Sequence, residues 1–519
     1  MTELKRVQEQ AKKELTGQDI KKEILEELAK NNRRQATTLA RNYILNKYRI
    51  KTLENDDKPE KYYYHKGVWI PNAESLIQKE CNLLFGKALT THIVNEVILK
   101  IKTQTFQREK EFFKEPPKNL ICFNNGVFDI NTEKLLPHNH KYNFHNKIIS
   151  DYNLEADCIK IRLFLRQILQ ERDIKVMQEL IGYCLVRDHR IHKLFIFEGE
   201  GRNGKSRILE LIKRLIGAEN TVSIGLQTLI EKDFAPAELH KKLVNIAGDV
   251  GDKPIYSTDQ IKGIIGEDQI SPDRKFLSRI SFVPYAKQIY ALNNIPIVKD
   301  TSIGWWSKII PIEFPNTFLN KKEYDKQKKD SENVREANPR IVEEISTEQE
   351  LSGLINWGLI GLKRLFEKRE FSEHKSISEV KEFWDNKSYN VKVFIEKYTT
   401  EDYNEYITKK EFKRLYVSWC KREKKKQLTD TKIKEYMLNN GYYQDRLNDD
   451  KKTHVWEGLK FKETNPDSKY SKYSLNSPLE DFQKTLKGNN NESFKYSKSE
   501  SDDNDLEIVE ENLQDVEGF

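Results

Sequence analysis

Residues 199–207 have the types and the spacing that can hold a chain of phosphates. The segment "GEGRNGKSR" places Gly199 and Gly204 five positions apart and follows the second glycine with Lys205 and Ser206. Glycines let backbone N–H groups turn toward an anion, a lysine can reach the β- and γ-phosphates, and a serine hydroxyl can bind Mg²⁺. The predicted nucleotide site consists of Gly199, Gly201, Asn203, Gly204, Lys205, Ser206 and Arg207.

Two more polar residues follow buried strands farther along the chain. "KKLVNIAGD" brings Asp249 to the end of a strand over residues 243–246, and "QIYALNN" brings Asn293 to the end of a strand over 289–292. After a phosphate loop, such an acid is expected to hold Mg²⁺, and such an asparagine to orient the attacking water. Asp252 is a second carboxylate, and the sequence does not identify the catalytic base.

These residues need a strand before the loop and a helix after it. "KLFIF", residues 193–197, is typical of a buried strand, and "SRILELIKRLIG" places its apolar residues on one helical face, with Gly217 able to end the helix. From Lys193 to about residue 318, short buried strands alternate with helices. This pattern predicts an α/β nucleotide-binding core.

Length and composition indicate several soluble domains. The chain has 519 residues, of which 37% are hydrophobic and 33% charged. It contains no apolar run of the roughly 20 residues that a membrane span needs, and its N-terminus lacks the apolar stretch of a signal peptide. We therefore expect a cytoplasmic protein without membrane association. The five cysteines are scattered, which predicts buried reduced thiols rather than disulfides.

The charge is unevenly distributed along the chain. The net charge is +7, yet residues 465–519 contain six lysines and thirteen acids, so residues 1–464 carry +14. A basic body favours nucleic acid as the partner. The acidic tail is predicted to be disordered; it could solubilise the protein, hold a partner, or compete with DNA for the basic part.

The two flanks of the core have different patterns. Residues 1–45 are typical of charged helix. "YRIKTLEND" and "EKYYYHKGVWIPN" are predicted as two strands of a mixed α+β domain. Near the C-terminus, "VKVFIEKY", "ITKKEFKRLYVSWCKREKKK" and "TDTKIKEYMLNNGYY" are predicted helices that precede a strand, turn and strand. Three helices and a hairpin form the winged-helix pattern, which binds either duplex DNA or other proteins.

Taken together, the sequence resembles the superfamily 3 helicases, and most closely the archaeal/viral-type branch of the phage/plasmid primase–helicase family. The resemblance rests on "NNGVFDINT", "QELIGYCLV", "FEGEGRNGKS", "LHKKLVNIAGDV", "IIGEDQISPDRKF", "FVPYAKQIYALNNIPIVKDTSIGWW" and "IIPIEFP", in the family's order. It implies an α/β P-loop (AAA+-like) motor domain with an N-terminal α+β helicase-associated domain and a C-terminal winged-helix domain. It also implies ATP and Mg²⁺ as cofactors, a homo-oligomeric ring, usually a hexamer, and 3′→5′ unwinding of DNA during replication of a virus, plasmid or integrated element.

The resemblance also implies the residues that would touch DNA. In such helicases the segment "GEDQISPDRKF" and the hairpin "LSRISFVPYAK" line the channel for single-stranded DNA. Cations on a hairpin can follow a phosphate backbone without reading bases. The candidates are Arg274, Lys275, Arg279 and Lys287.

The sequence departs from the family in two respects. Where the family has paired arginines that reach a neighbour's ATP, "GWWSKII" has Ser307 and Lys308. A lysine lacks the planar fork of arginine, so Lys308 acts as a weaker finger, or Arg274 replaces it, or hydrolysis is slow. The alternative function is an ATP-gated origin-binding scaffold without processive unwinding. The segment before the loop is also too short for a primase domain, so any primase is expected to be a separate protein.

The predicted domain division has six parts. They are a helical segment (1–45), the helicase-associated domain (46–190), the P-loop core (191–318), a helical lid or connector (319–389), the winged helix (390–463) and the acidic tail (464–519).

Overall fold

The computed structural model describes residues 17–54, 60–248, 254–273, 280–300, 302–327, 332–372, 374–423, 425, 427–447 and 452–462. The chain divides into two compact units, Met1–Ser388 and Tyr389–Phe519. No helix of the described ranges is both long enough and apolar enough to cross a membrane. All five cysteines are buried and unbridged, as predicted.

The first part of unit one combines seven helices with two small sheets in the described ranges. The helices are α1 (17–29), α2 (Arg33–Lys47), α3 (Ala73–Phe85), α4 (Thr91–Thr105), α5 (Glu109–Phe112), α6 (Ile159–Ile168) and α7 (Glu171–Cys184). The strands are β1 (Ile50–Leu53), β2 (Lys61–His65), β3 (Val68–Pro71), β4 (Phe106–Gln107), β5 (Leu120–Cys122), β6 (Val127–Asp129) and β7 (Lys134–Leu136). One sheet has the order β3-β2-β1-β4 and the other β5-β6-β7.

One sequence prediction in this part is wrong. The segment "EKYYYHKGVWIPN" is not one strand but the hairpin β2–β3, in which His65 pairs with Val68. Lys66 and Gly67 form the turn with φ of 44° and 96°. A two-residue turn with positive φ matches the twist of paired strands, so the chain reverses there.

A five-stranded parallel sheet forms the centre of unit one, as the alternation of buried strands and helices predicted. Its strands are β8 (Leu194–Glu198), β9 (Thr221–Val222), β10 (Val244–Ala247), β11 (Lys287–Leu292) and β12 (Ile309–Glu313), in the order β12-β8-β11-β10-β9. The intervening helices are α8 (Lys205–Ile216), α9 (Leu226–Glu231), α10 (Asp259–Ile265) and α11 (Ile303–Trp306).

The sheet is apolar on both faces, because each strand sends alternate residues to opposite sides. Along β8, Phe195 and Phe197 join a core with the apolar face of α8, whereas Leu194 and Ile196 join a second core. That second core contains the three tryptophans Trp305, Trp306 and Trp384. All four strand pairings are parallel, so the carboxyl ends of the five strands lie at one end of the sheet.

The segment after the sheet adds a strand pair and four helices. The elements are β13 (Thr317–Leu319), α12 (Lys321–Gln327), β14 (Val334–Glu336), α13 (Ile341–Ile345), α14 (Glu348–Lys368) and α15 (Ile377–Ser388). The strands β13 and β14 are parallel, with Leu319 opposite Glu336. The sequence predicted only a helical connector here and missed this pair.

Unit two contains three helices and three strands in its described part. They are α16 (Asn390–Tyr398), β15 (Thr399–Thr408), α17 (Lys409–Arg422), α18 (Asp430–Asn439), β16 (Tyr443–Arg446) and β17 (His454–Phe461). The antiparallel sheet has the order β15-β17-β16 and covers a core with Phe394, Tyr416 and Trp456. The three helices and the hairpin β16–β17 were predicted, whereas β15 was not.

Candidate nucleotide-binding site

The loop between β8 and α8 makes a close turn that depends on two glycines. Gly204 has a φ of 91°, and a β-carbon there would lie 2.6 Å from a methyl carbon of Ile168. A β-carbon on Gly199 would lie 2.0 Å from Nδ2 of Asn203. A side chain at position 199 would also meet the Phe314 carbonyl oxygen, and one at position 204 would be strained by the positive φ, so both positions favour glycine.

Lys205 lies inside this loop and is only 5% exposed. Its Nζ donates hydrogen bonds to the carbonyl oxygen of Gly199 (2.5 Å) and to Oδ1 of Asn203 (3.0 Å). The other amide atom of Asn203, Nδ2, is buried and has no hydrogen-bond partner among the described residues. A buried ammonium beside an unsatisfied amide donor provides groups that an anionic oxygen would bind.

The first turn of α8 also faces the loop. No side chain in the described ranges caps this helix, whose N-cap position is Gly204. The first N–H groups of a helix lack partners within it and carry a partial positive charge, so they favour an anion. Ser206 and Arg207 are exposed at this end, as is Gly201 in the loop.

The described residues supply only part of a metal site. Ser206 offers an accessible hydroxyl oxygen, a donor type that Mg²⁺ accepts. Asp249 and Asp252, the predicted acids, lie outside the described residues. No group of three or more His, Cys, Asp or Glu side chains within the described ranges is arranged to hold a metal ion. The donor set at the loop is therefore compatible with a magnesium ion bound mainly by phosphates and water.

Strand order places Asn293 beside the loop. The strand β11 lies between β8 and β10, and Leu292 pairs with Glu198. Asn293, which is exposed, therefore follows the strand at the level where the phosphate loop begins. On the other side of β11, Ala247 pairs with Tyr290, so the chain toward Asp249 leaves the sheet at the same edge. The loop, Asn293 and the end of β10 are thus adjacent.

A buried amide network links β10 to β11. The side chain of Asn245 donates to the carbonyl of Ile224 (3.1 Å), to Gln288 Oε1 (2.9 Å) and to the Tyr290 hydroxyl (3.2 Å), and it accepts from the N–H of Ile224 (2.8 Å). These side chains are fully buried. A network whose members are paired stabilises one register of the two strands.

The sequence analysis missed an ion pair beneath the loop. Glu198, the last residue of β8, is 6% exposed, and both its carboxylate oxygens accept hydrogen bonds from Nζ of Lys387, at 3.0 and 2.9 Å. Lys387 lies in α15, almost 190 residues away in sequence. No local pattern joins these two positions, so only the fold reveals the pair.

A cavity of about 370 Å³ opens beside the loop. Its walls come from the start of α8, from α6 and from the β13–β14 segment. The residues that line it are Phe164, Gln167, Arg202, Gly204, Arg207, Phe318, Asn320, Glu336, Ala337, Asn338, Pro339 and Ile341. Its size is within the range of small-molecule sites.

Lys308 lies at the amino ends of the strands, whereas the loop lies at their carboxyl ends. It immediately precedes Ile309, which pairs with Leu194, the first residue of β8. Gly199 is five positions after Leu194, which corresponds to roughly 16 Å of extended chain. Lys308 is partly buried, and burial lowers the pKa of its ammonium group. It therefore does not belong to the phosphate site of its own chain.

Of the four predicted DNA-contacting cations, Lys287 alone lies within the described residues. Arg274, Lys275 and Arg279 lie outside the described residues. On either side of them, Ile270 and Phe282 exchange backbone hydrogen bonds of 3.0 and 3.1 Å as an antiparallel bridge.

The prediction for Lys287 is wrong. Its side chain is 0% exposed, and Nζ donates to the carbonyl oxygens of Val186 (2.5 Å) and Tyr285 (3.1 Å). The ammonium also lies 4.5 Å from the ring centre of Tyr183. A lysine enclosed in this way cannot reach a DNA phosphate, because its Nζ is hydrogen-bonded to carbonyl groups inside the protein.

Two family matches cover most of unit one. Residues 2–170 match the family described as D5 N terminal like, and residues 197–303, which contain the loop, match a family of unknown function, DUF5906. This pairing of domains is the primase–helicase architecture. The resemblance stated from the sequence motifs is thereby confirmed.

Two viral proteins are similar to part of this chain. "Putative helicase L207/L206" of Acanthamoeba polyphaga mimivirus is 24% identical over 268 residues, which are 46% of this chain and 27% of the relative. "Putative helicase 121R" of Invertebrate iridescent virus 3 is 23% identical over 227 residues, 38% of this chain and 23% of the relative. The matched region thus spans about a quarter of the length of these relatives.

Solved structures give a weaker likeness. The C-terminal region of NrS-1 is 14% identical, with a TM-score of 0.39, and the alignment covers 81% of this chain and 98% of that one. A structure of JCV helicase with a bound small molecule is 13% identical, with a TM-score of 0.25, and the alignment covers 44% of this chain and 63% of that one.

Proposed function

We propose that this chain is an ATP-dependent DNA helicase of the superfamily 3 type, which forms a ring and acts in the replication of a virus, plasmid or integrated element. The observation that carries the proposal is the enclosed Lys205, in a glycine loop at the sheet edge where β11 also ends. A kinase or a simple phosphate binder would need the loop. It would not need a polar residue such as Asn293 at the end of β11, the strand that lies between β8 and β10.

The proposed chemistry follows from the positions of the side chains. The phosphates would replace Gly199 and Asn203 as partners of Lys205, and the uncapped start of α8 would bind their oxygens. Mg²⁺, held by Ser206 and Asp249, would supply charge neutralisation between the β- and γ-phosphates. Asn293 would orient the water that attacks the γ-phosphate.

The proposed assembly brings Lys308 to a neighbouring chain. Since Lys308 lies at the edge opposite the loop, it can only act on a nucleotide that another copy holds. Single-stranded DNA would run along Arg274, Lys275 and Arg279 in the ring channel. Unit two, with three helices and a hairpin, would act as a winged helix on duplex DNA.

One observation favours a second function, an ATP-gated scaffold at a replication origin. Burial lowers the pKa of Lys308; among the neighbouring charges Asp268 opposes this shift and Lys262 adds to it. A partly buried lysine beside another cation is a weak substitute for an arginine finger. ATP binding would then control ring assembly without rapid turnover.

The deciding experiment is ATP hydrolysis by the full chain with and without single-stranded DNA. We expect DNA to stimulate turnover, and Lys205→Ala to abolish it. Lys213→Ala is the matched control, because Lys213 lies in the last turn of the same helix, away from the loop. Nucleotide binding without DNA-stimulated turnover would reject the helicase and favour the scaffold.

A further inference from the structure

The cavity beside the phosphate loop has a defined orientation relative to the phosphates. Gly204 and Arg207 line one end of it, where α8 begins. Phe164 of α6 and Glu336 of β14 line the same cavity. A group attached to the phosphates would therefore enter it directly from the loop.

The far wall is joined to the loop by the backbone. The N–H of Phe318 in β13 donates a hydrogen bond of 2.6 Å to the carbonyl oxygen of Arg202. The Arg202 guanidinium pairs with Glu323 of α12 at 2.8 Å. Pairing of β13 with β14 then places Glu336 opposite Leu319, on the cavity. The position of Glu336 is thus set relative to the phosphates.

The chemistry of the walls suits a nucleoside. Phe164 and Ile341 provide apolar surface on which a flat ring can pack. Glu336 is exposed, and its carboxylate has no hydrogen-bond or ion-pair partner within the described part of the chain. An ionised carboxylate can only accept hydrogen bonds, so it matches a base with an exocyclic amino group.

We propose that this cavity binds the nucleoside of the triphosphate, and that Glu336 selects an amino-bearing base such as adenine. This inference rests on the proposed nucleotide site, and it names the residue that determines which nucleotide binds. The amino group donates to the Glu336 carboxylate while Phe164 packs against the ring. Nucleotides with hydrogen in place of the amino group lose that bond and leave the carboxylate unpaired.

The experiment compares the binding of ATP and purine riboside triphosphate, which lacks only the 6-amino group, by calorimetry with the full chain. We expect ATP to bind about tenfold more tightly, the effect of one hydrogen bond to a charged group. Glu336→Ala should bring the two affinities within about a factor of two. Glu332→Ala is the matched control, since Glu332 lies in the same segment but not on the cavity. Binding of inorganic tripolyphosphate should not change in either variant.

The two proposals fail in different ways. If ATP binds and depends on Lys205, but Glu336→Ala leaves the ATP preference intact, the nucleoside assignment is wrong and the phosphate site remains. An equal affinity of the wild-type chain for both nucleotides would reject it as well. If ATP does not bind the wild-type chain at all, the nucleotide site itself is wrong.

Discussion

Replacement of Lys287 by methionine tests whether this lysine is an internal residue or part of a DNA track. The two side chains have similar length, so the change removes the charge with little loss of volume. Burial lowers the pKa of Lys287 to about 7, whereas an unfolded lysine keeps its usual value of about 10.4. The folded protein therefore binds this proton less tightly than the unfolded chain does.

The sign and size of the effect follow from proton linkage. Between about pH 7 and pH 10 the unfolded chain holds more protons at this position, so the free energy of unfolding rises with pH, by up to about 1.4 kcal/mol per pH unit. Below about pH 7 both states are protonated, and the stability contributed by this residue no longer changes. From pH 7 to pH 9 the wild-type chain should gain about 2 kcal/mol relative to Lys287→Met. In a unit of this size that is about 3 °C in melting temperature.

Thermal melts of both proteins at pH 7, 8 and 9 measure this difference directly. Lys134→Met is the control, because Lys134 is exposed on β7. Binding of single-stranded DNA should be the same for Lys287→Met and the wild type at every salt concentration. An internal role would be refuted if the melting temperatures of the two proteins changed in parallel with pH. It would also be refuted if Lys287→Met lowered the slope of DNA affinity against salt concentration by the amount expected for about one phosphate contact.

Three further predictions concern the site. Gly199→Ala should abolish ATP binding in calorimetry with little change in melting temperature, because the new methyl group would collide with the Asn203 amide 2.0 Å away; normal binding would contradict the loop geometry. Lys387→Met should weaken ATP binding by leaving the buried Glu198 carboxylate uncompensated near the phosphates, and Glu198→Gln in the same chain should restore it; a double variant as weak as the single one would show that charge is not the cause. Asn245→Leu should destabilise unit one by about 2–6 kcal/mol, since two buried backbone groups lose their partner; an unchanged melt would mean that the network contributes nothing.

The phosphate loop could be predicted because its signals are local. The strand expected over residues 193–197 is Leu194–Glu198, and the helix ends at Ile216 with Gly217 as its cap, as the spacing indicated. Each of these features depends on neighbours a few residues away. The parallel sheet could also be predicted, because short apolar strands between helices have few other ways to bury both faces.

The missed features depend on contacts between distant parts of the chain. Lys287 was expected to contact DNA because the family resemblance places the hairpin "LSRISFVPYAK" in the channel, but its partners come from residues 183–186. Glu336 lies in a stretch so charged that it was assigned to a connector, and only pairing with β13 makes it a strand. Strand β15 has the sequence "TTEDYNEYIT". Its acidic residues do not favour a strand, and it is a strand because it pairs with β17.

The hydrogen bond from Phe318 to the Arg202 carbonyl joins two main-chain atoms that are more than a hundred residues apart. Because such a bond does not depend on which side chains are present, almost any substitution at either position would preserve it. An inserted or deleted residue between β12 and β13 would move the donor and break it. The feature that selection would preserve here is therefore the length of the segment rather than the identity of its residues. Related chains could differ in sequence at these residues while retaining the same spacing.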